Sequence, residues 1–258
     1  MYADSVIAAQ RRQLILETVH RDGAVSIRAL AELLDTSAVT IRRDLDYLDS
    51  IGRLTRSHGG AVSGQPLRES PWSEKVGQAA EAKAAIGRAA AELVGEGDVV
   101  VIGPGTTTAE LARALAGRAG LTVFTNSLLV ADILVDSPGN EVVVTGGTLR
   151  AGIRALVGDG TTRMLRGLHA DFTFLSGNGI DPEFGVSTPN LTVAESDRAM
   201  AAAGHQVVAL LDHTKFGERA AIQTLAPSSI DRLITDHASP LEATAALSAA
   251  GIAVTVVP

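Results

Sequence analysis

Nearly continuous apolar runs in the last two thirds of the chain place the strongest constraint on its fold. The runs at 98–102, 121–125 and 141–145 consist mostly of valine, isoleucine, leucine and threonine, and alanine-rich segments separate them. A strand with one face in water alternates apolar and polar residues, whereas a continuous run indicates a strand covered on both faces, as in a parallel sheet between helices. Residues 81–258 are therefore predicted to form a Rossmann-like α/β domain. Its predicted helices are 83–94, 107–115 and 128–135, and its later predicted strands are 172–175, 207–211, 233–235 and 252–257.

The segment from Ser37 to Leu48 has a helical pattern instead. Ser37 is a good N-cap, because its hydroxyl can accept a hydrogen bond from a backbone N–H in the first helical turn. Ile41, Leu45 and Leu48 recur at helical spacing and predict one buried stripe. The outward positions are Thr40, Arg42, Arg43 and Tyr47. The pattern predicts a helix with an apolar inner face and a cationic outer face.

The flanking residues extend this pattern to a winged helix-turn-helix domain over 6–62. Apolar residues between 27 and 34 predict a second short helix, Asp35 and Thr36 form the turn, and 53–61 is predicted to form a two-stranded basic wing after Gly52. Two short helices joined so tightly are typical of a helix-turn-helix, whose second helix enters the major groove. A pair of arginines alone is usually a solvated face, but here the cap, turn, periodicity and wing occur in order. The residues predicted to contact DNA are Ser37, Thr40, Arg42, Arg43, Arg56 and His58.

The distribution of charge agrees with a DNA-binding N-terminal region even though the whole chain carries a net charge of −7. Eight arginines, at 11, 12, 21, 28, 42, 43, 53 and 56, balance eight carboxylates, at 4, 17, 22, 32, 35, 44, 46 and 49, within residues 1–62. Arginine suits forked contacts with phosphate or guanine. An aromatic content of 3% offers little for stacking single-stranded bases, so duplex DNA is the expected partner.

Composition also limits the other classes of function. The chain has no cysteine, which excludes disulfides and thiolate metal sites, and its six histidines show no metal-binding spacing. We find no apolar run near the length of a membrane span and nothing like a signal peptide near Met1, so a cytoplasmic protein is expected. Residues 63–80, rich in glycine, proline and serine, are predicted to be a linker or ordered strap, with the single tryptophan, Trp72, packed onto a domain.

Glycine and hydroxyl residues follow the predicted strands, at the edge of a parallel sheet where ligands bind. After the first strand, Gly103-Pro104-Gly105-Thr106-Thr107-Thr108 precedes a helix. Glycines allow close approach of the backbone, and the helix N-terminus offers free N–H groups, so this loop is suited to a phosphate or carboxylate. It lacks the third glycine of a dinucleotide fingerprint and the Gly-Lys-Ser/Thr ending of a P-loop, so we expect neither NAD nor ATP and no cofactor. Similar loops are Thr125-Asn126-Ser127, Gly146-Gly147-Thr148, Ser176-Gly177-Asn178-Gly179 and Asp212-His213-Thr214-Lys215-Phe216-Gly217.

Both halves of the chain resemble DeoR-type bacterial transcription regulators. The N-terminal matches are 10–12, 23–26, Thr40-Ile41-Arg42-Arg43-Asp44-Leu45 and 58–61, and the C-terminal ones are 105–107, 123–127, 146–147, 157–158, 179–181, 185–186, Glu195 and Asp212-x-x-Lys215-Phe216-Gly217. The resemblance implies an effector domain similar in fold to ribose-5-phosphate isomerase, and repression of a carbohydrate operon that a phosphorylated sugar or related metabolite relieves. A homo-oligomer (dimer or tetramer) is expected because one recognition helix reads too few bases for useful specificity and paired half-sites supply the rest. The effector contacts expected from the loops and the resemblance are Gly103, Gly105, Thr106, Thr107, Thr108, Thr125, Asn126, Gly146, Gly147, Asn178, Glu195 and Lys215.

Two positions depart from the pattern of that family. Pro104 follows Gly103 where the family often has aspartate, and Asp197 stands where it usually has lysine. An added carboxylate near a phosphate would repel it, so an effector with less negative charge remains an alternative.

Two other functions also remain open. One is a sugar-phosphate isomerase with an accessory DNA domain, and the other is a structural DNA-binding protein with a vestigial pocket. In the isomerase, a carboxylate would act as the base; the candidates are Asp181, Glu183, Glu195 and Asp212. More ordinary roles for two of them are a turn at Asp181-Pro182 and a helix cap at Glu195, and only DNA binding explains residues 6–62.

Overall fold

The computed structural model describes residues 2–22, 24–50, 54–57, 59–63 and 71–258. The chain divides into two compact units, 1–66 and 67–258, each with its own core. No helix in the described ranges combines the length and the apolar composition that crossing a membrane requires.

Within its described residues, the smaller unit contains three helices and a three-stranded antiparallel sheet. Its elements are α1 (Tyr2–Asp22), β1 (Ala24–Ser26), α2 (Ile27–Leu33), α3 (Ala38–Ser50), β2 (Leu54–Ser57) and β3 (Gly60–Ser63). The predicted stripe of α3 is confirmed, since Ile41 and Leu45 are fully buried and Leu48 is buried beside residues of α1 and α2. The wing is confirmed as the antiparallel pair β2 and β3.

The sequence did not predict the third strand, β1, because three residues are too few to show a period. It pairs with β3 and joins the wing to the helices. Gly60 makes this pairing possible: a Cβ atom there would lie 2.1 Å from the carbonyl oxygen of Val25. A side chain at 60 would therefore push the strands apart.

The larger unit is built on seven parallel strands in the order β15-β14-β12-β9-β4-β5-β6, which confirms the α/β prediction. These strands are β4 (Val99–Ile102), β5 (Thr122–Thr125), β6 (Glu141–Val144), β9 (Ala170–Leu175), β12 (Gly204–Leu210), β14 (Arg232–Asp236) and β15 (Ala253–Val257). The helices are α4 (Trp72–Lys75), α5 (Ala80–Ala91), α6 (Thr106–Leu115), α7 (Leu128–Leu134), α8 (Asp159–Met164), α9 (Leu191–Ala203) and α10 (Leu241–Ala249).

The sheet separates two apolar cores, and this explains the continuous apolar runs. Val100 and Ile102 of β4 belong to the core that contains residues of α5, α6 and α7, whereas Val101 belongs to the core that contains residues of α9 and α10. Successive side chains of a strand point to opposite faces. Most residues of a strand buried on both faces are therefore apolar, and the buried threonines of the sheet are among the exceptions.

Five short strands outside the parallel sheet were missed. They are β7 (Thr148–Arg150), β8 (Ala155–Val157), β10 (Gly179–Asp181), β11 (Gly185–Thr188) and β13 (Ile222–Leu225), which form a two-stranded hairpin and a three-stranded antiparallel sheet.

The interpretation of Glu195 as a helix cap is wrong. Glu195 lies inside α9, whose cap is Asn190, and the Asn190 side chain accepts a hydrogen bond from Val193 N at 3.1 Å. The turn at Asp181 is confirmed, since its Oδ1 accepts from the N–H groups of Glu183 and Phe184.

Candidate DNA-binding surface and effector pocket

The start of α3 has the cap that the sequence predicts. Ser37 Oγ accepts a hydrogen bond from Thr40 N at 3.1 Å and lies 2.9 Å from Thr40 Oγ1. Asp35 supplies the turn before it with a φ of +44°. Ser37 is exposed and Thr40 is partly exposed, so their polar groups lie at the surface where the helix begins.

Arg42 and Arg43 both project from α3 with exposed side chains. Neither forms an ion pair with any residue in the described part of the chain. Their guanidinium groups are therefore available to an external anion or base edge. Arg42 also borders a groove between α2 and the start of α3, lined in part by Arg28, Thr36 and Ser37.

Asp44, which follows these arginines, has a different role that the sequence did not reveal. Its carboxylate is buried and accepts hydrogen bonds from Arg11 Nε at 2.6 Å and from Arg12 Nε at 2.7 Å. The Arg12 guanidinium also lies 3.9 Å from the centre of the Tyr47 ring. Two arginines of α1 thus hold α3 through its buried face, which fixes the direction in which Arg42 and Arg43 point.

The two predicted wing contacts lie outside what the structure describes in atomic detail. Arg56 is a residue of β2, but its side chain is not among the described ones, and His58 lies wholly outside the described residues. Their contact with DNA stays a prediction.

A pocket in the larger unit lies at the loops that follow β4, β9 and β12, where five of the predicted effector contacts meet. These five are Gly105, Thr106, Thr107, Asn178 and Lys215. Thr106 begins α6, and Gly105 precedes it without any side-chain cap, so the N–H groups of the first turn are available to a ligand. Lys215 lies on a short 3-10 turn, and Asp212 caps that turn by accepting from Thr214 N at 3.0 Å. A helix N-terminus and an ammonium group at one pocket suit an anionic ligand.

The structure does not bring the other seven predicted contacts to the pocket lining. Four are buried structural residues: Gly103, Thr108, Thr125 and Asn126. For example, Thr125 Oγ1 donates to Ile102 O at 2.6 Å, and Asn126 Nδ2 donates to Leu156 O at 2.9 Å. The remaining three, Gly146, Gly147 and Glu195, are exposed elsewhere on the unit.

Several pocket residues were not predicted as contacts. The additional polar ones are Lys75, Ser176, Thr188 and Asp197, and the apolar ones include Trp72, Ile153 and Val193. Asp197 had been noted only as a departure from a family pattern. Trp72 is half-buried, with the Arg154 guanidinium 4.1 Å from its ring centre, which confirms that it packs onto a domain. Part of the predicted linker therefore forms a wall of the pocket.

Lys83 links that wall to the turn that carries Lys215. Its side chain is buried, and its Nζ donates to the carbonyl oxygens of Lys75 (2.8 Å) and Gln78 and lies 3.8 Å from Asp212 Oδ2. Burial lowers the pKa of Lys83, and the nearby Asp212 carboxylate offsets part of that effect. One ammonium group thus contacts two of the segments that line the pocket.

Comparison with known proteins identifies both units. Residues 11–66 match the DeoR-like helix-turn-helix domain, and residues 78–237 match the DeoR C terminal sensor domain. The chain is 38% identical over 243 residues to the uncharacterized HTH-type transcriptional regulator YgbI of Escherichia coli K12, with 94% of this chain and 95% of that relative covered. The chain belongs to the DeoR family of DNA-binding transcription regulators.

Another DeoR-family relative is the glycerol-3-phosphate regulon repressor of Escherichia coli K12, which is 31% identical over 90% of this chain and 92% of its own length. Among solved structures, ribose 5-phosphate isomerase A from Methanocaldococcus jannaschii matches 55% of this chain and 56% of its own, with 15% identity and a TM-score of 0.42. The chain thus spans about half the length of that enzyme. It is the parallel sheet described above that places the larger unit of this DeoR-family protein in the α/β class.

Proposed function

We propose that this DeoR-family protein is a cytoplasmic repressor of a carbohydrate operon, and that a phosphorylated sugar or related metabolite releases it from DNA. In this proposal residues 6–62 bind DNA, 81–258 bind the effector and 63–80 connect them. The observation that carries the DNA-binding role is the outward position of Arg42 and Arg43, which form no ion pair within the described ranges, on a capped helix that Asp44 anchors from behind. Repression is supported by relatives that are named repressors.

We further propose that the protein binds its operator as a homodimer or homotetramer. One recognition helix reads too few bases to distinguish a single site in a genome, and two related half-sites supply the missing specificity. The size of the complex on an operator, measured by light scattering, tests this proposal. A single chain bound at full affinity would contradict it.

The pocket supports an effector that carries phosphate, since Lys215 and the start of α6 face the same space. The cavity measures about 70 Å³ and is partly open to solvent. In this proposal the effector displaces part of the wall as it binds. Trp72 and Lys75 belong to the segment that leads back toward residue 66 and the DNA-binding unit, so their displacement offers a route from effector to DNA.

The DNA-binding proposal is tested with an operator selected by the protein from random duplexes. If Arg43 makes a forked contact with guanine, Arg43→Ala should weaken operator binding by about 1–3 kcal/mol and relax the preference at one base pair. Fluorescence anisotropy with single-base-pair variants of the operator measures both effects. Arg28→Ala, which removes an exposed arginine of α2 paired with Glu32 at 2.9 Å, is the matched control. It should weaken binding to every duplex by about the same factor, and that factor should be smaller than the effect of Arg43→Ala on the operator.

Two results would count against this reading of α3. An equal loss of affinity for every duplex would exclude base reading by Arg43, and unchanged operator affinity in both Arg42→Ala and Arg43→Ala would overturn the proposed recognition surface.

The effect of the effector is tested by titrating phosphosugars into the protein–operator complex while following the release of DNA and the fluorescence of Trp72, the single tryptophan. A ligand that stabilises the protein without releasing DNA would support the binding pocket but contradict the proposal that the effector controls DNA binding.

A further inference from the structure

Asp197 brings a negative charge to a pocket that otherwise suits an anion. It lies on α9, and Val193, one turn earlier, also lines the pocket. Only 6% of Asp197 is exposed, so its carboxylate is well shielded from bulk water. Met200 lies one turn further along the same helix, and its Cε would be 3.5 Å from a Cβ atom placed on Gly103, the residue that follows β4. The face of α9 that carries Asp197 is therefore close to the loop that begins α6.

The same pocket contains groups that attract anions. Lys215 and Lys75 are the cationic residues among those that line it, and Thr106 and Thr107 belong to the first turn of α6. The polar lining also includes Ser176, Asn178 and Thr188, whose hydroxyl and amide groups can form hydrogen bonds with the hydroxyl groups of a sugar as well as with a phosphate. The lining thus combines cationic groups, neutral hydrogen-bonding groups and one buried carboxylate.

A ligand that fits this lining must satisfy both kinds of charge. A bare phosphate would be attracted by the lysines and the helix N-terminus but repelled by the Asp197 carboxylate, because charges interact strongly where water is excluded. A ligand with a hydroxyl or ammonium group some distance from its phosphate avoids this conflict, since that group can donate a charge-assisted hydrogen bond to Asp197.

We propose that Asp197 is a specificity-determining residue that selects phosphorylated polyols, sugars or amino sugars by accepting a hydrogen bond from a hydroxyl or ammonium group of the ligand. The phosphate of such a ligand lies toward Lys215 and the start of α6. This inference rests on the proposed function of the pocket. It also predicts that Asp197 weakens the binding of anions that have no hydroxyl or ammonium group to donate.

The test uses the full chain and two substitutions that each remove one negative charge. Asp197→Asn keeps the size of the side chain, and Glu242→Gln removes an exposed carboxylate from α10 of the same unit. The probes are inorganic phosphate, glucose 6-phosphate, glucosamine 6-phosphate and glucose, and the quenching or enhancement of Trp72 fluorescence measures binding.

The expected result is a change of opposite sign for the two kinds of probe. Asp197→Asn should bind inorganic phosphate about threefold more tightly, because repulsion is lost. It should bind the better of the two phosphosugars about tenfold more weakly, because a charge-assisted hydrogen bond is lost. Glu242→Gln should leave both affinities within about twofold of the parent protein.

Other outcomes separate this inference from the function on which it rests. If Asp197→Asn tightens binding of phosphosugars and inorganic phosphate by the same factor, Asp197 only repels anions and the inference is overturned, while a phosphate-binding pocket stands. If glucose binds and the phosphorylated probes do not, the proposed phosphate effector fails, and weaker glucose binding in Asp197→Asn would still support the role of Asp197. If no probe binds the parent protein, both are overturned. Asp197→Ser, compared by thermal unfolding, provides a second variant should Asp197→Asn fold poorly.

Discussion

The two units both bury an ionic group beneath their candidate functional surface, but they do so with different geometry. In the smaller unit, Asp44 accepts two short hydrogen bonds from Arg11 and Arg12. In the larger unit, Lys83 lies 3.8 Å from Asp212 and gives its hydrogen bonds to backbone carbonyl groups of the turn at 75–78. The first arrangement fixes one helix against another, whereas the second holds a short segment that we propose is displaced when the effector binds.

This difference matches the tasks that we propose for the two units. A recognition helix reads bases only if its rotation is fixed, since a small rotation moves guanidinium groups away from the base edges. A regulatory pocket needs an element with two arrangements of similar free energy, on which the effector acts. Interactions with backbone carbonyl groups stabilise one arrangement of residues 75–78 without linking two long elements rigidly.

Removing the buried ammonium group should have the largest effect on stability. Lys83→Met leaves Asp212, which is fully buried, without its counter-charge, and we expect a loss of about 3–5 kcal/mol in the free energy of unfolding of the larger unit. Denaturant titration followed by Trp72 fluorescence measures it. The double variant Lys83→Met/Asp212→Asn should recover a large part of the loss, and a double variant as unstable as the single one would show that the buried charge is not the cause.

The corresponding change in the smaller unit should be less severe. Asp44→Asn removes the anion between two guanidinium groups that are 19% and 30% exposed, so water can compensate in part, and we expect a loss of about 2–3 kcal/mol. The two tyrosines, Tyr2 and Tyr47, both lie in the smaller unit, so tyrosine fluorescence can follow its unfolding. Glu32→Gln, which breaks the exposed pair with Arg28, is the control and should cost about 0.5 kcal/mol or less. Equal losses in the two variants would contradict the anchoring role of Asp44.

A smaller effect should appear in acid, at the turn that carries Lys215. Burial by itself would raise the pKa of Asp236. Hydrogen bonds from the backbone N–H and ring of His213 and from Ala238 N outweigh burial, so the pKa lies below its ordinary value. A carboxyl group with a depressed pKa in the folded state stabilises the protein above the unfolded-state pKa of about 3.9, and this contribution is lost as the pH falls below that value. Stability of the larger unit should therefore fall less steeply below about pH 4 in Asp236→Asn than in the parent protein. Identical acid profiles would show that Asp236 does not anchor this turn.

Local patterns in the sequence were sufficient for the recognition helix and the parallel sheet. The Ser37 cap, the stripe at Ile41, Leu45 and Leu48, and the apolar runs of the strands each depend on residues near one another in the chain. The short strands β1, β7, β8, β10, β11 and β13 were not predicted, because three or four residues carry too little periodicity and their pairing is decided by distant partners.

The pocket shows the same limit. Loops after parallel strands indicated Gly105, Thr106, Thr107, Asn178 and Lys215, because the carboxyl ends of such strands meet at one edge. The same rule also selected Thr125 and Asn126, whose side chains turn inward to hold neighbouring strands. Trp72 and Lys75 reach the pocket from a segment that precedes β4, the first strand of the parallel sheet along the chain, so the rule could not find them.

The sequence by itself determined that the chain has a capped, cationic recognition helix and a two-sided parallel sheet, since cap chemistry and apolar periodicity are local properties. Only the tertiary structure decided which charges are outward and which are buried. Arg11, Arg12, Arg42 and Arg43 have the same chemistry in the sequence, yet the first two are tied to Asp44 and the last two face solvent. The reason is physical: a charge is costly to bury unless a partner of opposite sign meets it, and packing of distant segments decides where such partners meet.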